Sequence, residues 1–149
     1  SLFARVILDE KNGPPPEINL FNEKNNGETL LKLIDGNLIK SAHDVSLGGI
    51  ITAVSKMCIR GNKGINLKKP KYQTNKKEYC FTAEPRIYSI EISKKDQKKV
   101  LDILDKNAVH YDELGTINEN MLFLSQKSKV TIDELKSSNT NWLIEYMSK

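Results

Sequence analysis

Sulfur, aromatic rings and long apolar runs are all scarce in these 149 residues. Two cysteines are too few for a disulfide framework, and no Cys-x-x-Cys or His-x-x-x-His spacing exists to hold a metal with soft ligands. Both sit in apolar company, Cys58 beside Met57 and Cys80 between Tyr79 and Phe81. That setting predicts reduced core thiols in a cytoplasmic protein. No apolar run approaches the roughly eighteen residues that cross a bilayer, so no membrane partner is expected. The start, Ser1-Leu2-Phe3-Ala4-Arg5, is too short and too charged for a secretory signal. It has no initiator Met, which suggests a piece of a longer chain. No Walker loop, no Gly-x-Gly-x-x-Gly and no Ser-His-Asp signature is present.

What is present is a soluble, globular balance: 38% hydrophobic, 28% charged and a net charge of +4. The length suits one domain with a sizeable core. The expected division is an extended entry segment and Pro-rich connector over 1–20, followed by a single domain over 21–149. Lysine outnumbers arginine twenty to three. Seven basic residues fall in 60–77 with no acid among them, and Tyr72 is the one aromatic there. A basic nucleic-acid-binding module would need more stacking surface than this, so the run reads as solvated loop and no nucleic acid is expected as a partner.

Residues 2–8 alternate weakly and read as a strand or extended entry. Gly13 and Pro14-Pro15-Pro16 make 11–19 a stiff connector. Leu30, Leu31, Leu33, Ile34, Leu38 and Ile39 give a helix over 28–39 that ends near Gly36-Asn37. A short strand over 65–67 and strands over 78–81 and 86–92 follow from β-rich alternation. Ser93-Lys94-Lys95-Asp96 opens a helix with a capping-box-like arrangement, its core face being Val100, Leu101, Ile103 and Leu104. Strands over 109–117 and 121–124 are joined by Asn118-Glu119-Asn120 as a hairpin candidate. Thr131-Ile132-Asp133-Glu134 opens a short helix by a capping box, and a separate last helix carries Trp142, Leu143, Tyr146 and Met147. The fold class is therefore α+β (mixed α/β), with helices packed on a sheet.

The most informative stretch is Ser41-Ala42-His43-Asp44-Val45-Ser46-Leu47-Gly48-Gly49-Ile50. It reads as an extended segment, a tight turn and then a helix to about Arg60, ended by Gly61 and Gly64. Unpaired N–H groups and the positive dipole end at a helix start suit a phosphate, and two glycines let it approach the backbone. Ser46 is the best phosphate donor by position. The structural alternative is that Ser46 or Asp44 caps the helix and Gly48-Gly49 eases packing. His43 and Asp44, adjacent on a strand, should point to opposite faces and so not form a dyad. His43 either binds a substrate phosphate or hydroxyl or fixes the turn. Asp44 either caps the Gly48 or Gly49 N–H or faces the ligand. His110, in a strand-like run, reads as half-buried and structural, and Asp112 with Glu113 as a solvated strand edge. Glu84 with Arg86 is either part of a ligand pocket or a loop ion pair.

That stretch, preceded by Gly13-Pro14-Pro15-Pro16-Glu17-Ile18-Asn19-Leu20, resembles the last domain of the phosphoribosylformylglycinamidine synthase family. Gly61-Asn62-Lys63-Gly64, Leu114-Gly115-Thr116-Ile117, Glu134-Leu135 and the closing Trp142-Leu143-Ile144-Glu145-Tyr146-Met147 extend the resemblance over nearly the whole chain. Leu47 departs from the Asp that the family usually carries, and Glu84 and Arg86 stand at a shifted spacing in Phe81-Thr82-Ala83-Glu84-Pro85-Arg86. The resemblance implies a mixed sheet with helices on its faces, partly ferredoxin-like, as in the second half of aminoimidazole ribonucleotide synthase. It implies a C–N ligase for formylglycinamide ribonucleotide. In that reaction ATP phosphorylates the amide oxygen and ammonia, made from glutamine by a glutaminase domain or subunit, displaces phosphate. ATP and Mg2+ would serve the whole enzyme, with none expected on this domain alone, which would be inactive by itself. Another member of the same superfamily is the alternative. His43, Asp44, Ser46, Gly48, Gly49, Glu84 and Arg86 become the expected ribotide- or phosphate-binding set, with no catalytic residue and no metal ligand.

Overall fold

The structure, a computed structural model, describes residues 2–10, 17–68, 76–81 and 87–148. Its element order is α1 (Leu2–Ile7), α2 (Leu20–Asp35), β1 (Ser41–Asp44), α3 (Gly49–Gly61), β2 (Gly64–Leu67), α4 (Lys76–Phe81), β3 (Tyr88–Glu91), α5 (Gln97–Lys106), β4 (Gly115–Asn118), β5 (Met121–Ser125), β6 (Ser128–Thr131) and α6 (Ile132–Met147). The class is α+β, as the sequence indicated. Two compact units share the chain: Ser1–Val54 with Asn75–Asp112, and Ser55–Thr74 with Glu113–Lys149.

In the first unit α2 begins eight residues earlier than the apolar spacing suggested. Asn19 explains this, because its side chain accepts from the Asn22 N–H and caps the helix start. The helix closes with the Leu38 N–H on the Leu33 carbonyl (3.0 Å) and the Asn37 N–H on the Ile34 carbonyl (2.9 Å). Asn37, at φ 51°, is the left-handed residue of this Schellman closure, a position that Asn tolerates. The closure folds Leu38 back onto Leu33, and with Val100 and Leu104 of α5 they form the core, Val100 being 0% exposed. Asn107 at the end of α5 secures the two helices. Asn25 Nδ2 donates to its carbonyl (2.7 Å) and Lys32 Nζ to its Oδ1 (2.8 Å). At the other end of α5 the expected capping box is replaced: Asp96 is the N-cap without a side-chain bond to the helix, and it accepts instead from Ser93 Oγ.

Two expected strands of this unit are helical. Residues 2–7 form α1, and 78–81 lie within α4. Alternation over so few residues does not separate the two periods. The ribbon β1–β3 is antiparallel, with Ser41, Ala42, His43 and Asp44 opposite Glu91, Ile90, Ser89 and Tyr88.

The second unit holds a four-stranded sheet in the order β4-β2-β5-β6. The hairpin expected around 118–120 does not form. β2 lies between β4 and β5, antiparallel to one and parallel to the other. The two-residue link passes over the start of β2, and Asn118 fastens it: its Oδ1 accepts from the Met121 N–H (2.9 Å) while its Nδ2 donates to the Met121 carbonyl (2.8 Å). Gly64 is needed there for space, since a Cβ would stand 2.2 Å from both Asn118 Oδ1 and Met121 N. The true hairpin is β5–β6, antiparallel and joined at 126–127, which the sequence reading missed. The strand expected over 109–114 is irregular chain and leaves His110 exposed rather than half-buried. The Thr131–Glu134 capping box forms as expected, but α6 is one helix of 16 residues, not two.

Two substitutions test this architecture by urea unfolding. Leu33→Ala, at a site 1% exposed, is expected to cost about 2–5 kcal/mol through the cavity it leaves. Gly64→Ala is expected to cost about 2–3 kcal/mol through overpacking at the link. An unchanged midpoint for Gly64→Ala would show that the link relaxes freely.

Candidate functional site

β1 delivers His43 and Asp44 to the turn, and α3 leaves it. The Gly49 N–H donates to the Ser46 carbonyl (2.9 Å), closing a four-residue turn over 46–49. Gly48 is its third residue, at φ 89°, which is the positive φ that a type II turn requires. The Thr52 hydroxyl donates to the Gly48 carbonyl (3.1 Å) and ties the turn to the first turn of α3. Gly49, at φ 74°, is needed for a second reason: a Cβ there would lie 2.6–2.8 Å from the backbone of Cys80 and Phe81 at the end of α4. The glycine pair therefore satisfies a backbone twist and a close approach of two chain segments. Neither α4 nor this approach was visible beforehand, because the partner is separated from the turn by about thirty residues and carries no periodic signal.

The capping roles are settled by these bonds. The Gly49 N–H is taken by Ser46 O, so Asp44 does not cap it. Ser46 and Leu47 are exposed, and Ser46 Oγ has no hydrogen-bond partner among the described residues. The N–H groups of the first turn of α3 are the donors such a helix start offers.

Burial along β1 alternates, so His43 and Asp44 do lie on opposite sides of the strand. Their side chains nevertheless approach, with His43 Nδ1 3.3 Å from Asp44 Oδ1. The nearer partner of Nδ1 is the Asp44 carbonyl oxygen at 2.7 Å. A carbonyl only accepts, so Nδ1 carries the proton, and Nε2 is left as the nitrogen open to a ligand. The neutral ring presents Nε2 as an acceptor.

Two residues that the sequence reading passed over lie on the His43 side of the ribbon. Ser41 Oγ donates to Glu91 Oε2 (2.9 Å), and Ser89, opposite His43, is buried with its hydroxyl unpartnered. Glu84 and Arg86 lie outside the described residues. So do Lys69 and Lys71 of the basic run, in which Lys68 is ion-paired with Glu113 at 2.6 Å. Cys58 and Cys80 are buried. No group of three His, Cys, Asp or Glu side chains converges among the described residues. No helix among them is long and apolar enough to cross a membrane.

Tyr79 of α4 has its phenol pushed up to about 12, first by burial, then by the charge of Asp112 and by Cys80. A Tyr held above its unfolded value of 10.0 contributes stability that is complete below pH 10 and lost as pH rises toward 12. Alkaline titration followed by phenolate absorbance should show one tyrosine ionising late, together with loss of stability over that interval. Tyr79→Phe should remove that late component.

The two glycines should respond differently to alanine. Gly49→Ala should cost roughly 3 kcal/mol, because its Cβ meets backbone. Gly48→Ala should cost about 1–2 kcal/mol, the left-handed penalty, because the Thr52 side chain that it meets can turn away. Equal midpoints in urea would mean that the α4 approach does not constrain the turn.

Comparison with known proteins places this geometry in context. The family profile for the AIR synthase related protein, C-terminal domain, matches residues 1–124. The phosphoribosylformylglycinamidine synthase subunit PurL of Pelagibacter ubique is 64% identical over 99% of this chain. The chain spans 20% of the length of that relative. Among solved structures, Thermotoga maritima PurL complexed with FGAR is similar at TM-score 0.70 and 19% identity, over 80% of this chain and 21% of that one. The same protein complexed with ATP gives TM-score 0.65 and 19% identity, over 76% and 21%. PurLQS from Thermotoga maritima gives 0.69 and 19%, over 89% and 24%. These structural likenesses show a shared fold.

Proposed function

This chain belongs to the AIR synthase related protein family through its C-terminal domain, and from that premise we propose that it is the C-terminal domain of a phosphoribosylformylglycinamidine synthase. The whole polypeptide would convert formylglycinamide ribonucleotide, ATP and ammonia to the amidine, ADP and phosphate. The reading draws on the 64% identity to a PurL subunit, spread over 99% of the chain. The resemblance of a solved neighbour complexed with FGAR suits a ribotide substrate, and that of PurLQS suits an assembly with a glutaminase. A cytoplasmic location goes with such an enzyme.

Within that enzyme the 46–49 turn holds the phosphate of the ribotide. The observation that carries this is the exposed, unpartnered Ser46 hydroxyl standing at the start of a 13-residue helix, ahead of two glycines. The N–H groups that follow Gly49 in the first turn of α3, the positive end of its dipole and Ser46 Oγ form one donor set. His43 and Asp44, at the end of β1 just ahead of the turn, complete the set. Gly48 supplies the positive φ that shapes the turn, Gly49 admits the end of α4 behind it, and both belong with Glu84 and Arg86 to the proposed set.

ATP and Mg2+ supply the activation of the amide when bound to the whole enzyme. Leu47 brings no carboxylate to the turn, so Asp44 is the acid it offers. The protein set there is suited to an anion rather than to a metal. Chemistry therefore belongs to the rest of the polypeptide, and this chain binds and orients.

Two measurements test the proposal. The purified chain should show no amidine formation with ammonia as nitrogen donor; turnover would overturn it. In the full-length enzyme Gly48→Val should raise KM for the ribotide, or lower kcat, by about tenfold or more. His110→Ala, at an exposed position away from the turn, should change neither by more than about twofold. A folded Gly48→Val enzyme with unchanged kinetics would leave the turn with a structural role only.

A further inference from the structure

The last helix is at odds with its own sequence. Ser137-Ser138-Asn139-Thr140-Asn141 are five consecutive poor helix formers, in a region where two separate helices were expected. The helix runs through them without a break. Its beginning is well held: Thr131 and Glu134 form a capping box, Ile132 is buried, and Lys136 Nζ donates to Asn62 Oδ1 at 2.6 Å. Beyond that, every residue from 137 to 148 is exposed. Hydrogen bonds from Thr140 Oγ1 to the Lys136 carbonyl and from Asn141 Nδ2 to Ser137 Oγ are internal to the helix and add little. A stretch of this length and composition is marginal in water unless an apolar face is covered.

Such a face exists. Trp142, Leu143, Tyr146 and Met147 follow the spacing of one helical stripe and are 59%, 51%, 70% and 75% exposed. Between 137 and 147 the only charge is Glu145. The family profile ends at residue 124, before this helix begins, whereas the Pelagibacter ubique subunit aligns over 147 residues and so includes it. The helix therefore lies in the part of this chain that aligns with the long polypeptide. This chain supplies 20% of that relative, and the other 80% is available to cover it.

We propose that the Trp142–Leu143–Tyr146–Met147 stripe docks into an apolar groove on the rest of the same polypeptide, with a basic rim facing Glu145. The inference rests on the chain being part of the longer polypeptide and is independent of the phosphate turn.

Amide hydrogen exchange on the full-length polypeptide, followed for the 137–147 segment, tests it. The expected result is exchange at least about 100-fold slower than for unprotected peptide, independent of protein concentration. The double variant Trp142→Asp with Tyr146→Asp should abolish that protection while amides of β5 and β6 stay slow. If the double variant unfolds the sheet as well, Met147→Asp alone should lower protection of the segment by at least about tenfold. Fast exchange of 137–147 in the unmodified polypeptide would overturn the proposal. So would protection that grows with protein concentration, which indicates a second copy, or protection that arises only when a separate subunit is added. Because Gly48→Val kinetics report on the turn alone, failure of one proposal is distinguishable from failure of the other.

Discussion

The approach of Gly49 to the end of α4 is the constraint on which the geometry of the site depends. Backbone atoms of Phe81 and Cys80 occupy the space in which any Cβ at 49 would stand. With α4 seated there, the chain between β1 and α3 has very few paths open to it. It takes a four-residue turn closed by Ser46 O and the Gly49 N–H, with a positive φ at Gly48. That turn keeps Val45 buried and puts Ser46 and Leu47 outside. Exposure of Ser46 and Leu47 is thus a consequence of packing at the glycine behind them. A bulkier residue at 49 would move α4 or reopen the turn, and either change displaces the start of α3.

The same arrangement accounts for the electrostatics. β1 pairs with β3 and continues straight to Val45, whose N–H donates to the Ile87 carbonyl (2.9 Å), so the backbone around Asp44 is fixed. The Asp44 carbonyl then lies within 2.7 Å of His43 Nδ1 and determines which ring nitrogen carries the proton. His43 and Asp44 were expected to point to opposite faces and so not to form a dyad. Their side chains do alternate, yet the ring of His43 turns along the strand and reaches the main chain of its neighbour. Alternation governs where Cβ points and says little about a ring two bonds further on.

Legibility of the fold followed the range of the forces involved. The turn, α3, β2, β3 and the core face of α5 were readable because each depends on local chemistry: a glycine pair, a short β-rich run, an apolar stripe at 3.6 spacing. The Thr131–Glu134 capping box was readable for the same reason. What was not readable depended on distant partners. Nothing within 109–124 announces that β2 will enter between β4 and β5; the information lies in Gly64 and in the amide of Asn118, which serves as a clasp only when β2 is already there. The short helices α1 and α4 failed because six residues do not distinguish a period of 2 from one of 3.6. At the site, the identity of the turn was legible and its reasons were not. One glycine is there for φ, and the other also for α4.

The conflict between local preference and structure in α6 has a different meaning from those misreadings. In α1 and α4 the sequence was ambiguous, and neighbouring chain decided the outcome. In α6 the sequence is not ambiguous: five residues that favour turns and caps lie in the middle of a helix. Among the described residues of the helix, Ile132 is buried, Leu135 and Lys136 are half-buried, and 137–148 are all exposed. A natural sequence whose local and global preferences disagree is generally answering a requirement elsewhere. Here the requirement is the apolar stripe one turn further on, which has to be carried on a helix to present Trp142 and Tyr146 together. The polar run then acts as a spacer, and under the proposed docking it links this helix to assembly with the rest of the polypeptide.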